Sequence, residues 1–307
     1  VREEAFLGAL KAKLAQWRAS GAAGFAVAFS GGCDSTLLLN ALARLDLGLP
    51  VRALHVDHGL SPESRAWEAG CRSAAATLGI SYESVRVVVP RDAGLGLEAA
   101  AREQRYRALE EMLDRGEILL TAHHGDDQLE TVLLRMLRGA GTRGLRGIVE
   151  LAPFGHGYLG RPLLGFGKLA LREQARVWGL AWVEDPANDS LAHDRNYLRH
   201  RVVPALEMRW PAAPRMAQRL AEQMADAEEI LETMAHEDAR ALAFGDRVAA
   251  DELMKLSPSR QRNLLRHLLR TGGLTIPSAQ KLEELRDGAL ESAWDARTEI
   301  RWPGGEA

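Results

Sequence analysis

Cysteine is scarce: the 307 residues hold only Cys33 and Cys71. Two cysteines cannot make a disulfide framework or a Cys-rich zinc or iron–sulfur site. Their scarcity reads as a reducing cytoplasm. Long apolar runs are missing too. None approaches the roughly 20 residues that span a bilayer, so no membrane partner is expected. The opening VREEAFLGALKAKLAQW is a charged amphipathic helix and not a signal peptide. The first residue is Val1 and not methionine, which we read as trimming or processing. An excess of either charge is also lacking. The net charge is −3, so any nucleic acid would have to be met by local basic patches. With no repeat or low-complexity tract, 46% hydrophobic and 26% charged residues describe an ordinary globular chain. At roughly 150 residues per domain, its length suggests two domains.

The first half alternates strand-like and helix-like segments. Gly24–Phe29, Val51–His58, Tyr82–Val89 and Ile118–Ala122 read as strands. Thr36–Leu45, Pro62–Leu78, Leu97–Leu113 and Asp127–Leu137 read as helices, with Ser61 as a cap and Pro62 in the first turn of the second. This alternation implies an α/β fold with a doubly wound, mostly parallel sheet, and ligands at the carboxyl ends of its strands. Glycine and proline dominate 139–167, a loop with short strands. Lys168–Trp178 returns to helix, Asp185–Asp194 is loop, and Asn196–Leu206 is a helix closed by Pro204. Beyond Pro211–Pro214, Leu220, Met224, Ala227, Leu231 and Met234 form a heptad-like stripe on one long helix, 215–243. That stripe could serve a homodimer as easily as an internal core. The expected organisation is a catalytic domain, 1–212, and a small helical domain, 213–307. The strand-like TEIRW near the end suggests a cut at the threshold of a further domain.

Three segments carry chemistry. Ser30-Gly31-Gly32-Cys33-Asp34-Ser35 joins a strand to a helix. Two glycines let backbone N–H groups approach phosphate, and the helix amino end adds partial positive charge. Ser30 and Ser35 add hydroxyl donors. Asp34 would repel phosphate and makes sense as a ligand for Mg²⁺ or another cation. No Gly-Lys-Ser/Thr follows, so this is not a Walker loop. His55-Val56-Asp57-His58-Gly59-Leu60-Ser61-Pro62 ends the second strand; its edge could read adenine, or its histidines could be merely polar. His123-His124-Gly125-Asp126-Asp127-Gln128-Leu129-Glu130-Thr131 is the richest segment. Asp127, Glu130 and Thr131 share a helical face at a strand's carboxyl end. Two carboxylates there could bind an ammonium group, deprotonate it or hold Mg²⁺, or they could simply favour the helix start. A zinc-protease HExxH pattern is absent.

SGGCDS resembles the PP-loop of ATP pyrophosphatases, which cleave ATP to AMP and pyrophosphate. The string HHGDDQLETVLLRMLRGAGTRGLRGI resembles the tRNA(Ile)-lysidine synthase family within them. So do, in order, HVDHGLSP, Glu98–Arg102 with Arg105-Tyr106, Arg161–Leu164, Trp182–Asn188 and Arg195–Arg201, so that the likeness covers roughly residues 24–206. It implies a ligase that uses ATP and L-lysine to modify the wobble cytidine of a tRNA(Ile) with a CAU anticodon, changing its decoding from methionine to isoleucine. The cytosine C2 oxygen is adenylated first, and the lysine ε-amine then displaces AMP.

The resemblance also implies roles. Ser30, Gly31, Gly32, Cys33, Asp34 and Ser35 bind the ATP phosphates, with Asp34 near Mg²⁺, and Val56, Asp57 and His58 lie by the adenosine. Asp127 and Glu130 hold lysine and help to deprotonate it. Arg102 or Arg105 faces the triphosphate or the activated base. Arg195 and Arg199 lie near the lysine carboxylate or an RNA phosphate. Arg138, Arg143, Arg146, Arg195 and Arg201 are expected on tRNA, and Arg suits phosphate recognition. Arg260, Arg262, Arg266, His267 and Arg270 form a further basic stretch that a solvated helix face would explain equally well. A tRNA thiolase is the nearest rival, but a sulfur-transfer enzyme needs reactive cysteines and no CxxC pair exists here. An ammonia-using synthetase would need a glutaminase domain, and a non-catalytic RNA-binding module would need broken motifs.

Overall fold

A computed structural model describes residues 3–90, 97–184, 193–244, 247–248, 250–291, 301–302 and 305–306. It divides into two compact units, Val1–Glu222 and Gln223–Ala307, and the division falls within one long helix.

The first unit begins with helix α1 (Glu3–Ala19), whose Phe6, Leu10, Leu14 and Trp17 recur at helical spacing and are buried. Strand β1 (Gly24–Ala28) follows, then α2 (Cys33–Arg44), β2 (Val51–Asp57), α3 (Ser64–Thr77), β3 (Ser81–Arg86), α4 (Leu97–Met112), β4 (Glu117–Leu120) and α5 (Gly125–Leu137). After a short α6 (Thr142–Leu145) come the hairpin strands β5 (Leu151–Phe154) and β6 (Gly157–Gly160), and then α7 (Lys168–Val177). The sheet order is β3-β2-β1-β4-β6-β5, parallel except for β5 at the edge. Alternate residues of β1 and β4 serve opposite faces, as a strand's two-residue period dictates. Phe25, Val27, Ile118 and Leu120 face a core with Leu37, Leu38, Leu171 and the α1 residues. Ala26 and Leu119 join Leu109 and Leu113 of α4. The doubly wound α/β expectation therefore holds.

Four local readings differ. Helix α2 starts at Cys33 and not Thr36, so the second half of SGGCDS is its first turn. Helix α5 starts at Gly125 and not Asp127, because His124 takes the cap position. Ser61 and Pro62 lie ahead of α3, which is entered through Glu63. Pro204 does not close a helix. The chain runs through α8 (Asp194–Tyr197) and a π-helical stretch (Leu198–Val202) into α9 (Val203–Arg209), with Pro204 in the first turn. The wider π turn accommodates a residue that has no N–H to give.

Helix α10 (Ala213–Leu242) ends the first unit and opens the second. Its buried positions are Ala217 and Ala221 in the first unit, and Glu228, Ala235, Asp238 and Leu242 in the second. The heptad spacing is as expected, but the most buried row lies beside the predicted stripe, whose Leu220 is exposed. Two carboxylates sit on that row because arginines of α12 (Pro258–Thr271) neutralise them. Arg270 pairs with Glu228 at 3.0 Å, and Arg260 pairs with Asp238. Between these helices come β7 (Ala243–Phe244), β8 (Arg247–Val248) and α11 (Ala250–Lys255); α13 (Ala279–Glu291), β9 (Arg301–Trp302) and β10 (Gly305–Glu306) follow. Leu269, Leu282 and Trp302 form a small core. Within TEIRW, Thr298–Ile300 lie outside the described residues, as do 185–192. Among the described residues no helix is long and apolar enough to cross a membrane.

Candidate active site

The phosphate loop leaves the centre of the sheet. Phe29 donates its N–H to Leu54 O (2.8 Å), and its carbonyl meets His55 Nδ1 at 2.8 Å, so the strand's exit is tied to β2. Gly31 sits at φ +80°, a region in which an L side chain is strained. A Cβ there would also lie 2.7 Å from Cys71 Sγ. Its carbonyl accepts from Val183 N at 2.9 Å, which fixes the loop from the other side. Gly32 occupies the cap of α2 with no side-chain cap, so the first-turn N–H groups are left for an anion. Ser35 donates to Gly32 O (3.1 Å), which leaves Ser30 as donor in the 3.1 Å Ser30–Ser35 pair. Gly31→Ala is expected to lower stability by about 1–2 kcal/mol from the backbone alone. Cys71→Ala in that background should recover only the contact part, as read by urea unfolding; full recovery would show that φ is not under constraint.

Helix α5 arranges the carboxylates. His124 at its cap makes a reciprocal box: Asp127 N donates to His124 Nδ1 (3.4 Å), and His124 N donates to Asp127 Oδ2 (3.0 Å). The His124 ring is buried among three carboxylates, with Nε2 3.7 Å from Asp34 and 3.5 Å from Asp127 and Nδ1 3.5 Å from Asp126. Burial pulls its pKa down, but these carboxylates outweigh it and the net shift is upward. Asp126 caps α7 by accepting from Lys168 N at 2.7 Å. Asp34 has its pKa raised by burial and by Asp127, against His124 and Lys168, and its Oδ1 is buried with no hydrogen-bond partner.

Asp127 and Glu130 face the π-helical segment. Arg195 reaches Asp127 Oδ1 (2.9 Å) and Glu130 Oε2 (2.9 Å), while Arg199 reaches Asp127 Oδ1 (3.1 Å) and Glu130 Oε1 (2.7 Å). Burial alone would raise the Asp127 pKa, but His124, His123 and Arg195 hold it down to about 2. The neighbouring His123 is pushed down to about 3, chiefly by burial, and its Nδ1 lies 2.8 Å from Thr121 Oγ1.

The structure thus brings Asp34, Asp127, Glu130, Arg195 and Arg199 into one cluster. The other named residues make different contacts. Val56 and Asp57 end β2, and His58 follows it. Asp57 Oδ1 accepts from Gly59 N at 2.7 Å, and His58 Nδ1 is buried without a hydrogen-bond partner. Burial, and then Arg105, push the His58 pKa down. Arg102 and Arg105 both lie over the Tyr106 ring, at 4.9 and 5.5 Å. Arg138 pairs with Asp194 (3.0 Å), Arg143 and Arg201 are exposed, and Arg146 is half-buried. The third basic stretch largely turns inward: Arg260, Arg262 and Arg270 pair with Asp238, Glu283 and Glu228. Cys33 and Cys71 are buried, and burial raises both thiol pKa values, that of Cys71 to about 11. These are the opposite of reactive thiolates.

Two residues escaped sequence reading. His124 was visible only as one of two histidines, although its place just ahead of Asp126-Asp127 is a capping signal. Arg195 was expected near the lysine carboxylate or an RNA phosphate, and its pairing with carboxylates 65 and 68 residues away was not anticipated.

The PP-loop domain family matches residues 7–206, and the TilS substrate binding domain matches residues 249–307. A tRNA(Ile)-lysidine synthase of Alkalilimnicola ehrlichii is 47% identical over 287 residues, covering 93% of this chain and 64% of that protein. The protein of the same name from Methylococcus capsulatus is 40% identical over 286 residues, covering 92% and 65%. The chain therefore spans just under two thirds of the length of these curated relatives. Among solved structures, the U34-tRNA thiolase NcsA from Methanococcus maripaludis superposes with a TM-score of 0.59 at 18% identity, covering 73% of this chain and 81% of that one. That likeness bears on the fold alone.

Proposed function

The chain belongs to the PP-loop family, and from that premise we propose that it ligates lysine to C2 of the wobble cytidine of a CAU-bearing tRNA(Ile). ATP is consumed through an adenylated cytidine, and AMP and pyrophosphate are released. The observation that carries this reading is the pair Asp127 and Glu130, buried at a strand's carboxyl end beside the phosphate loop. A ring carbonyl oxygen leaves poorly, and adenylation makes it a good leaving group. The protein's work is then positioning and charge stabilisation.

In this reading the uncapped first turn of α2, with Ser30 and Ser35, holds the phosphates. The orphaned Asp34 Oδ1 fits Mg²⁺, an ion that one carboxylate and substrate phosphates commonly hold between them. When bound, Mg²⁺ supplies neutralisation of the leaving pyrophosphate. The end of β2 offers Val56, Asp57 and His58 to the adenosine. Asp127 and Glu130 hold the lysine ammonium, and Arg195 and Arg199 turn to its carboxylate. A carboxyl held near pKa 2 stays ionised and is a poor base for an ammonium of pKa about 10.4. Asp127 therefore orients the amine, and deprotonation falls to another acceptor. In this reading, with tRNA as its substrate, the protein acts in the cytoplasm.

The test is incorporation of labelled lysine into a tRNA(Ile) transcript with a CAU anticodon, with methionine tRNA as control. ATP-dependent label in the first and none in the second is the expected result. AMP and pyrophosphate without label would overturn lysine as the nucleophile; no products at all would overturn the reading whole.

A further inference from the structure

Many arginines of this protein pair with carboxylates, among them Arg52, Arg195, Arg199 and Arg270, but one group on the first unit does not. Arg135, on the face of α5 away from its first turn, donates from Nη1 to two backbone carbonyls, Gly144 O and Gly147 O, both at 2.7 Å. Arg161, just after β6, donates to Val149 O, and its buried Nε has no hydrogen-bond partner. Arg146, between them in sequence, has no side-chain hydrogen bond or ion pair among the described residues. The nearest acid in the segment, Glu150, is taken by Lys13. Burial and then Arg146 push the Arg135 pKa down; burial, Arg102 and Arg135 push that of Arg161 down, with Tyr106 opposing them. The half-buried Arg135 thus stands against like charge from Arg146 and Arg161, and the hydrogen-bond acceptors of Arg135 and Arg161 are backbone carbonyls. Such an arrangement is unfavourable unless an anion completes it.

The segment is also built to stay in place. Gln128, fully buried on α5, accepts from Ile148 N at 2.6 Å and donates to Ile148 O at 3.2 Å and to Gln218 at 3.1 Å. A side chain at Gly147, φ +60°, would put its Cβ 2.3 Å from Gln128 Oε1. The helix that carries Asp127 and Glu130 therefore also fixes the backbone that presents Arg146.

We propose that Arg135, Arg146 and Arg161 form a preorganised site for a phosphate group, and that this phosphate is a backbone phosphodiester of the RNA substrate. The proposal rests on the reading of the protein as an RNA-modifying enzyme. The nucleotide's phosphates are the other source of the same chemistry, but the phosphate loop already provides for them. Arginine suits the site because its planar fork meets phosphate oxygens bidentately.

The experiment is equilibrium binding of a CAU-bearing tRNA(Ile) transcript, and separately of ATP, to the full chain with Arg146→Gln and Arg146→Lys at several salt concentrations. No turnover is needed, so failure of lysine transfer and failure of this site are separate results. Arg146→Gln should weaken RNA binding about tenfold and lower the slope of log affinity against log salt by about one, while Arg146→Lys keeps the slope. Loss of ATP affinity with RNA binding unchanged would keep a phosphate site but overturn its RNA assignment. Wild-type affinity for both ligands, with an unchanged salt slope, would overturn the site. Gln128→Met, which keeps every charge, should reproduce part of the RNA loss and be non-additive with Arg146→Gln; simple additivity would remove Gln128 from the account.

Discussion

Replacing Asp127 by Asn should lower lysine transfer by about 10³-fold, the scale on which preorganised charge acts in a buried site. The substitution is close to isosteric. An Asn carbonyl can still accept from His124 N, and Glu130 still holds both Arg195 and Arg199. What disappears is a carboxylate kept ionised by His124, His123 and Arg195. The same charge has a signature in stability. The Asp127 pKa is about 2 in the folded protein, below its ordinary value of 3.8, so it stabilises the fold fully above 3.8 and loses that contribution as pH falls toward 2. A shift of that size corresponds to about 2 kcal/mol. Asp127→Asn should therefore flatten the acid limb of a urea-midpoint profile between pH 4 and pH 2 while leaving a cooperative transition at pH 7. Wild-type transfer rates in the variant would remove Asp127 from the lysine site. A lost transition at pH 7 would show that its role is chiefly structural.

The sequence made some of this legible. A short apolar run followed by SGGCDS specifies strand, loop and helix through local rules, and those elements occur in that order, with the helix starting three residues earlier than expected. The face shared by Asp127 and Glu130 follows from helical spacing alone. What could not be read is long-range pairing. Arg195 and Arg199 were legible as cations but not as partners of Glu130, because α8 and the π-helical turn after it, 65 and more residues further along, bring them there. The buried face of α10 was misplaced for a related reason. Glu228 and Asp238 look like solvent positions until Arg270 and Arg260 are seen to neutralise them. Those pairings also explain why the third basic stretch offers less to RNA than its count of arginines suggests.

Glu130→Ala should be the most destabilising single change in the site. The Glu130 carboxylate is 2% exposed, while the side chains of Arg195 and Arg199 are 27% and 22% exposed. Its removal deprives three guanidinium N–H groups of their acceptor: Arg195 Nε, Arg199 Nε and Arg199 Nη2. Both cations would then share one oxygen of Asp127. Breaking a buried pair from one side costs about 3–5 kcal/mol, because a charge stays buried without its partner. Glu130→Gln should cost less, since its amide oxygen still accepts one or two of the three, according to which carboxylate oxygen it replaces. The cause is separable from cavity formation by a double-mutant cycle with Arg199→Ala. If stranded charge is the penalty, the double variant is less destabilised than the sum of the singles, and the coupling read by urea unfolding exceeds about 1 kcal/mol. Additive losses would mean that Glu130 acts through packing, and the ion cluster could then no longer be what holds the π-helical segment against α5.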